Sequence, residues 1–182
     1  MRCDGKPALL FTAHLANWEL PAYAATAAKL PVTVLYRRLK NMAVNDAVLK
    51  IRTGTLGTLV ATGLDAPIKL LRALEEGGHV AMAVDQHLSQ GVDITFFGRP
   101  CKANPLIAWL ARNVDCPIHG AHTVRLPDRN RFRVEITDAI EPERDAEGRI
   151  QIQGTMQRIS SVVEGWVREH PEQWLWLHRR WR

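Results

Sequence analysis

Short apolar runs alternate with helix-patterned stretches through the first half of this chain, and nothing else in the sequence restricts the fold as much. Ala8–Ala13 (ALLFTA) is a continuous apolar run, as expected of a strand buried on both faces. A helix follows to about Leu30, with Asn17 as a candidate cap and Pro21 near its first turn. Val32–Tyr36 (VTVLY) is rich in β-formers, and Ala43–Thr53 is helical in pattern and stops at Gly54. Leu56–Ala61 predicts a strand. Asp65 caps a predicted helix from Pro67 to Glu76, with Gly77 just past its end. His79–Val84 (HVAMAV) is a further buried strand. This alternation predicts an α/β fold with a mostly parallel central sheet flanked by helices.

The second half adds fewer signals. Asp93–Phe97 predicts a short strand, and Asn104-Pro105 opens a helix to about Arg112. Pro117–Arg125 and Arg131–Thr137 predict two strands around a turn at Pro127-Asp128-Arg129-Asn130. Thr155–His170 carries Met156, Ile159, Val163, Trp166 and Val167 at helical spacing. The whole of residues 1–182 reads as one domain. Apolar residues make up 46% of it, enough to offset the entropy of ordering and to exclude a disordered chain.

Three cysteines (Cys3, Cys101 and Cys116) form no disulfide framework and no CxxC pair, which points to a reducing compartment and away from structural zinc. No apolar run approaches the ~20 residues that span a bilayer. The start, Met1 to Pro7, runs straight into a strand and does not read as a signal peptide. The net charge of +5 favours an anionic partner. Four of the six tryptophans (Trp166, Trp174, Trp176 and Trp181) fall in the last seventeen residues, beside His178, Arg179 and Arg180. Tryptophan with arginine suits a membrane interface, single-stranded nucleic acid, or simple packing on the sheet.

In parallel α/β sheets, sites form where strands end and helices begin. Three polar clusters fall at such ends. The first is His14-Leu15-Ala16-Asn17-Trp18-Glu19. Five positions along a helix are about 140° apart, so His14 and Glu19 cannot share a helix face. They meet if His14 lies on the loop and Glu19 in the first helical turn. A carboxylate there fixes the imidazole tautomer and leaves the other nitrogen to take a proton from a hydroxyl. Spacing alone equally describes a structural pair. The second cluster, Tyr36 to Asn41 (YRRLKN), has three cations that clamp a phosphate or simply face water. The third is Asp85-Gln86-His87 followed by Phe96-Phe97-Gly98-Arg99-Pro100. Asp85 and His87 would share a strand face, yet no third metal ligand accompanies them. Phe96, Phe97 and Arg99 suit a ligand with an apolar chain and an anionic head, or a packed turn.

Other chemistries fit poorly. The serines are Ser89, Ser160 and Ser161, and no G-x-S-x-G is present. Gly54-Thr55-Leu56-Gly57 lacks the Lys-Ser/Thr of a phosphate loop. Cys116, His119 and His122 have metal-like spacing, but residues three apart on a strand face opposite ways. Cys101 reads as a core thiol before a nucleophile.

Taken together, HLANWEL from His14, YRRLKN from Tyr36, VDQH from Val84, FFGRP from Phe96 and PEQWLWLHRRW from Pro171 resemble the lipid A biosynthesis lauroyl/myristoyl acyltransferases, within the lysophospholipid acyltransferase superfamily. The motifs occur in the family's order across nearly the whole chain. The resemblance implies a glycerolipid-acyltransferase-like fold and transfer of a fatty acyl chain from an acyl carrier protein or CoA thioester to a hydroxyl of a lipid A precursor or related anionic glycolipid. It implies His14 as general base with Glu19 as its orienting acid, and no covalent acyl-enzyme. Asn17, Arg37, Asn41 and Arg99 carry over as substrate-binding positions. Asp85 and Gln86 join that set with no step assigned to either. The resemblance implies no cofactor and no metal. The implied partners are acyl carrier protein, an anionic glycolipid and the membrane surface rather than nucleic acid. The implied location is the cytoplasmic face of the bacterial inner membrane, peripheral for the chain as given. Relatives carry a membrane anchor before the catalytic motif, whereas His14 lies almost at the start here. The chain is then either a fragment or held at the membrane without a span. A non-catalytic module binding anionic lipid or nucleic acid is the alternative from another class.

Overall fold

A computed structural model of the chain describes residues 6–128 and 130–181. Cys3, the Arg129 of the expected turn and Arg182 lie outside the described residues. Strands and helices follow in the order β1 (Ala8–Thr12), α1 (Leu20–Ala27), β2 (Val32–Tyr36), α2 (Met42–Arg52), β3 (Thr58–Ala61), α3 (Ala66–Glu75) and β4 (His79–Ala83). Then come β5 (His87–Phe96), β6 (Arg99–Ala103), α4 (Leu106–Val114), β7 (Ile118–Arg125), β8 (Phe132–Ala139) and α5 (Ile152–Glu169).

The strands β3-β2-β4-β1-β7-β8 form one six-stranded sheet. Every neighbouring pair is parallel except β7 with β8. The fold is therefore the expected mixed α/β layer with a mostly parallel sheet and five flanking helices. Alternation along the strands divides the sheet between two cores. Leu9, Phe11, Val80 and Met82 face the large core, closed by Leu70 and Leu74 of α3, Ile107 and Leu110 of α4, and Met156 and Ile159 of α5. On the other face, Val32, Val34 and Ala81 meet Ala25 of α1 in a much smaller cluster. The α5 stripe of Met156, Ile159, Val163, Trp166 and Val167 is wholly buried, as its spacing predicted. Trp166 stacks on Phe11 at 5.4 Å and on His122 at 4.5 Å. This close approach requires Gly120, where a Cβ would stand 2.7 Å from the indole.

Three differences from the expected elements have local causes. The first helix begins at Leu20 rather than at Asn17, because Leu15 pairs as an isolated bridge with Trp174 and Ala16 takes positive φ. Gly57 also has positive φ and lies against the Val32 carbonyl, so strand pairing starts at Thr58, two residues after the expected Leu56. The Asp93–Phe97 strand is the end of a ten-residue strand, β5, which folds back on β6 as a separate antiparallel hairpin. The β6 partner has no strand signal in the sequence, because Arg99-Pro100-Cys101-Lys102-Ala103 has little β-propensity of its own. No described helix is long and apolar enough to cross a membrane.

Candidate active site

Strands β1 and β4 are parallel neighbours at the centre of the sheet, and Thr12 lies opposite Ala83. Two residues further along each strand come His14 and Asp85. Adjacent strands run about 4.8 Å apart, so this register alone brings the imidazole and the carboxylate to one spot. His14 Nδ1 meets Asp85 Oδ1 at 2.7 Å, and the His14 main-chain N–H donates to Asp85 Oδ2 at 2.9 Å. The Trp174 indole N–H donates to Oδ2 as well, at 2.9 Å. Burial pushes the Asp85 carboxyl up, but the bonds from His14 and Trp174 more than offset it, and Asp85 titrates below the ordinary carboxylate range. An ionised Asp85 only accepts, so Nδ1 carries a proton, and in the neutral imidazole Nε2 keeps its lone pair. The Gln86 side-chain nitrogen lies 3.3 Å from that lone pair. The Trp18 ring tilts beside the imidazole at 4.8 Å.

Glu19 is not the carboxylate on His14. It stands at the N-terminus of α1 and pairs with Arg52 from the last turn of α2. Arg52 also lies 5.8 Å over the Trp18 ring, so Glu19, Arg52 and Trp18 form a layer beside the imidazole. The expectation of a Glu19-oriented base is corrected for a simple reason. Spacing along the chain reveals only local partners, while the sheet register delivers Asp85 from 71 residues away.

The other predicted positions are dispersed. Asn17 is exposed in the turn before α1, where its carbonyl accepts from Leu20 N–H. Arg37 is exposed past the end of β2. Asn41 caps α2 by accepting from Val44 N–H at 3.2 Å. Arg99 opens β6 and lies 5.5 Å over the Trp181 ring. Asp85 and His87 do not share a strand face, since Asp85 lies in the loop before β5. Both His119 and His122 are otherwise engaged. His119 Nδ1 lies 3.0 Å from the Thr137 carbonyl, and His122 lies between Trp166 and Glu135. No group of three metal-binding side chains occurs among the described residues. Burial raises the Cys101 thiol and pushes Cys116 up to about 11, which suits core packing rather than nucleophilic attack.

The C-terminal segment builds the second wall of the site. Leu175 N–H donates to the His14 carbonyl, and Ala16 N–H donates to Gln173 O. His178 Nε2 accepts from His87 N–H at 2.8 Å. Arg180, only 1% exposed, donates through Nη1 to the carbonyls of Gln86 and Lys102 and lies 5.3 Å over the Phe96 ring. The Trp181 indole donates to Phe96 O. The tryptophans thus divide. Trp174 is buried against Asp85, while Trp176 is 53% and Leu177 91% exposed beside the site. Sequence reasoning missed Arg52, Trp174 and Arg180 as parts of this constellation. The only signal for Arg180 was its place in the HRRW run.

A shallow apolar depression lies alongside, between α1 and the sheet. Trp18 and Glu19 stand at it with Leu10, Ala22, Ala25 and Ala81. The space exists because α1 and this sheet face meet through small side chains, several of them alanine.

No curated protein matches the chain. A family model, bacterial lipid A biosynthesis acyltransferase, matches residues 1–182. With that match over its full length and a strand-end histidine held by a buried carboxylate, the chain belongs to the bacterial lipid A biosynthesis acyltransferase family.

Proposed function

We propose that this acyltransferase moves a fatty acyl chain from an acyl carrier protein thioester to a hydroxyl of a lipid A precursor, with His14 as general base and Asp85 as its orienting acid. The observation that carries the reading is the 2.7 Å contact between His14 Nδ1 and Asp85. It leaves Nε2 as a proton acceptor, and the His14 side chain is 15% exposed. The acceptor hydroxyl gives its proton to Nε2 as its oxygen bonds to the thioester carbonyl carbon. The C–S bond then breaks, and the leaving thiolate takes the proton back from Nε2. The thioester is already activated, so a positioned base and stabilisation of the oxyanion suffice, without a covalent acyl-enzyme. The apolar lining beneath α1, beside Trp18 and Glu19, supports that side of the site as the one the acyl chain approaches.

The site mouth also suits a membrane surface. The parallel strands end on one edge, and exposed apolar residues occur in the segments after β2 and β3 and in the C-terminal segment. Leu39 precedes α2 and Met42, Val44 and Ile51 lie within it, Leu64 precedes α3 and Ile68 lies in its first turn, and Leu175, bonded to the His14 carbonyl, leads into Trp176 and Leu177. Arg37, Arg38, Lys40 and Lys50 are interspersed with them. Such a mixture fits an anionic lipid interface with the site facing the bilayer, at the cytoplasmic side of the inner membrane where thioester donors are made.

The test is incubation of the protein with acyl carrier thioesters and a lipid extract, with products weighed by mass spectrometry. His14→Ala is expected to lose about 10²–10⁴-fold in transfer with its circular dichroism unchanged. Equal turnover by variant and parent refutes the reading.

A further inference from the structure

Gln86 has an unusual position for a residue next to the dyad. Its carboxamide nitrogen lies 3.3 Å from His14 Nε2, on the lone pair that the base needs. Because Nδ1–H is committed to Asp85, the nitrogen facing Gln86 accepts, and the amino end of the carboxamide is the end that meets it. Any hydroxyl that reaches Nε2 must displace that N–H. The displaced group then lies beside the new C–O bond, within reach of the thioester oxygen as it gains charge.

Several neighbouring donors are already engaged. The main-chain N–H groups of His14, Leu15 and Ala16 donate to Asp85, Ala13 and Gln173. The Arg52 guanidinium is paired with Glu19. Meanwhile the Gln86 backbone is held in place. Arg180 Nη1 donates to its carbonyl at 3.2 Å, and the next residue, His87, donates its N–H to His178 at 2.8 Å. With the main chain held from both sides, the side chain is the part free to swing.

We infer that the Gln86 carboxamide caps the base in the resting site and, on displacement by the acceptor hydroxyl, donates its N–H to the oxyanion of the tetrahedral intermediate. This rests on His14 acting as the base. The step balances. The hydroxyl proton passes to Nε2 as the C–O bond forms, and the carbonyl π pair moves onto the oxygen facing Gln86. The pair returns as the C–S bond breaks, and the thiolate takes the proton from Nε2. Gln86 changes hydrogen-bond partner without gaining or losing a proton.

Gln86→Glu and Gln86→Leu test it in the whole protein, with acyl carrier thioester and lipid acceptor as substrates. Both lose the donor, and kcat is expected to fall by about 10²–10³-fold with KM little changed. In Gln86→Glu, a carboxylate on Nε2 favours the imidazolium, so the acid limb of kcat/KM moves to higher pH. The resting contact has its own readout. The ¹⁵N resonance of His14 Nε2 in the free protein is expected to shift in Gln86→Leu. Parent-like kcat in either folded variant overturns the assignment, as does a loss confined to KM or an unmoved Nε2 resonance. His14→Ala is measured alongside. If it is inactive while the Gln86 variants work normally, only the Gln86 role fails. If it is active, the general-base reading fails and takes this inference with it.

Discussion

Asp85, which is buried, accepts three hydrogen bonds, two from His14 and one from Trp174. A buried carboxylate that lost one of these donors would bear a desolvation cost with less to offset it. Its three donors hold the charge on the oxygens and fix the imidazole in the tautomer that leaves Nε2 basic. Glu19 does a different job. Paired with Arg52, it keeps a guanidinium beside Trp18 at the edge of the apolar depression. The two carboxylates therefore differ in what they couple to. In double-mutant cycles on kcat, Asp85→Asn is expected to be strongly non-additive with His14→Ala, and Glu19→Gln with Arg52→Ala. Strong coupling of Glu19→Gln to His14→Ala, with none to Arg52→Ala, would return Glu19 to the imidazole.

The C-terminal segment acts as an element although it has little regular structure. A short 3₁₀ turn at Pro171–Gln173 leads into residues that touch three separate parts of the site. Trp174 reaches Asp85, His178 reaches His87, and Arg180 spans Gln86 and Lys102. The β5–β6 hairpin is tied to the sheet by the same residues, with Trp181 donating to Phe96 O. Burial lowers the Arg180 guanidinium, opposed by Cys101 and Asp85, yet an arginine keeps its charge in such a place. Trp174→Phe keeps most of the packing and removes the indole donor. A hydrogen bond to a charged group contributes about 1.5–3 kcal/mol, so this variant is expected to unfold at lower urea with an unchanged m-value. A parent-like midpoint would mean that the indole bond adds no net stability.

At the scale of the whole molecule, parallel strands gather the site and its surroundings on one edge. The loops and helix starts after β1, β2, β3 and β4 all open there, so the dyad and the starts of α1, α2 and α3 lie toward that edge. Cosedimentation is expected to show binding to anionic-lipid vesicles that weakens with salt, and much weaker binding to neutral ones. Trp176→Ala is expected to reduce it, since this ring stands 53% exposed beside the site. Indifference to lipid charge would move the docking elsewhere.

The alternation of apolar runs and helix patterns determined the layer architecture, because a strand buried on both faces and an amphipathic helix each have a local signature. ALLFTA, VTVLY, HVAMAV and the α5 stripe all occupy the elements their patterns indicated. His14 stood out as a candidate because it directly follows such a strand and opens the HLANWEL stretch on which the family resemblance rests. What the sequence by itself could not determine was which acid meets it. Glu19 lay within reach along the chain, but hydrogen-bonded register between β1 and β4 put Asp85 there, and a residue brought by register leaves no trace in local spacing. The same holds for Trp174 and Arg180. Their places follow from how the chain end folds back across β5, β6 and the strand end at His14, a long-range contact that only the tertiary structure decided.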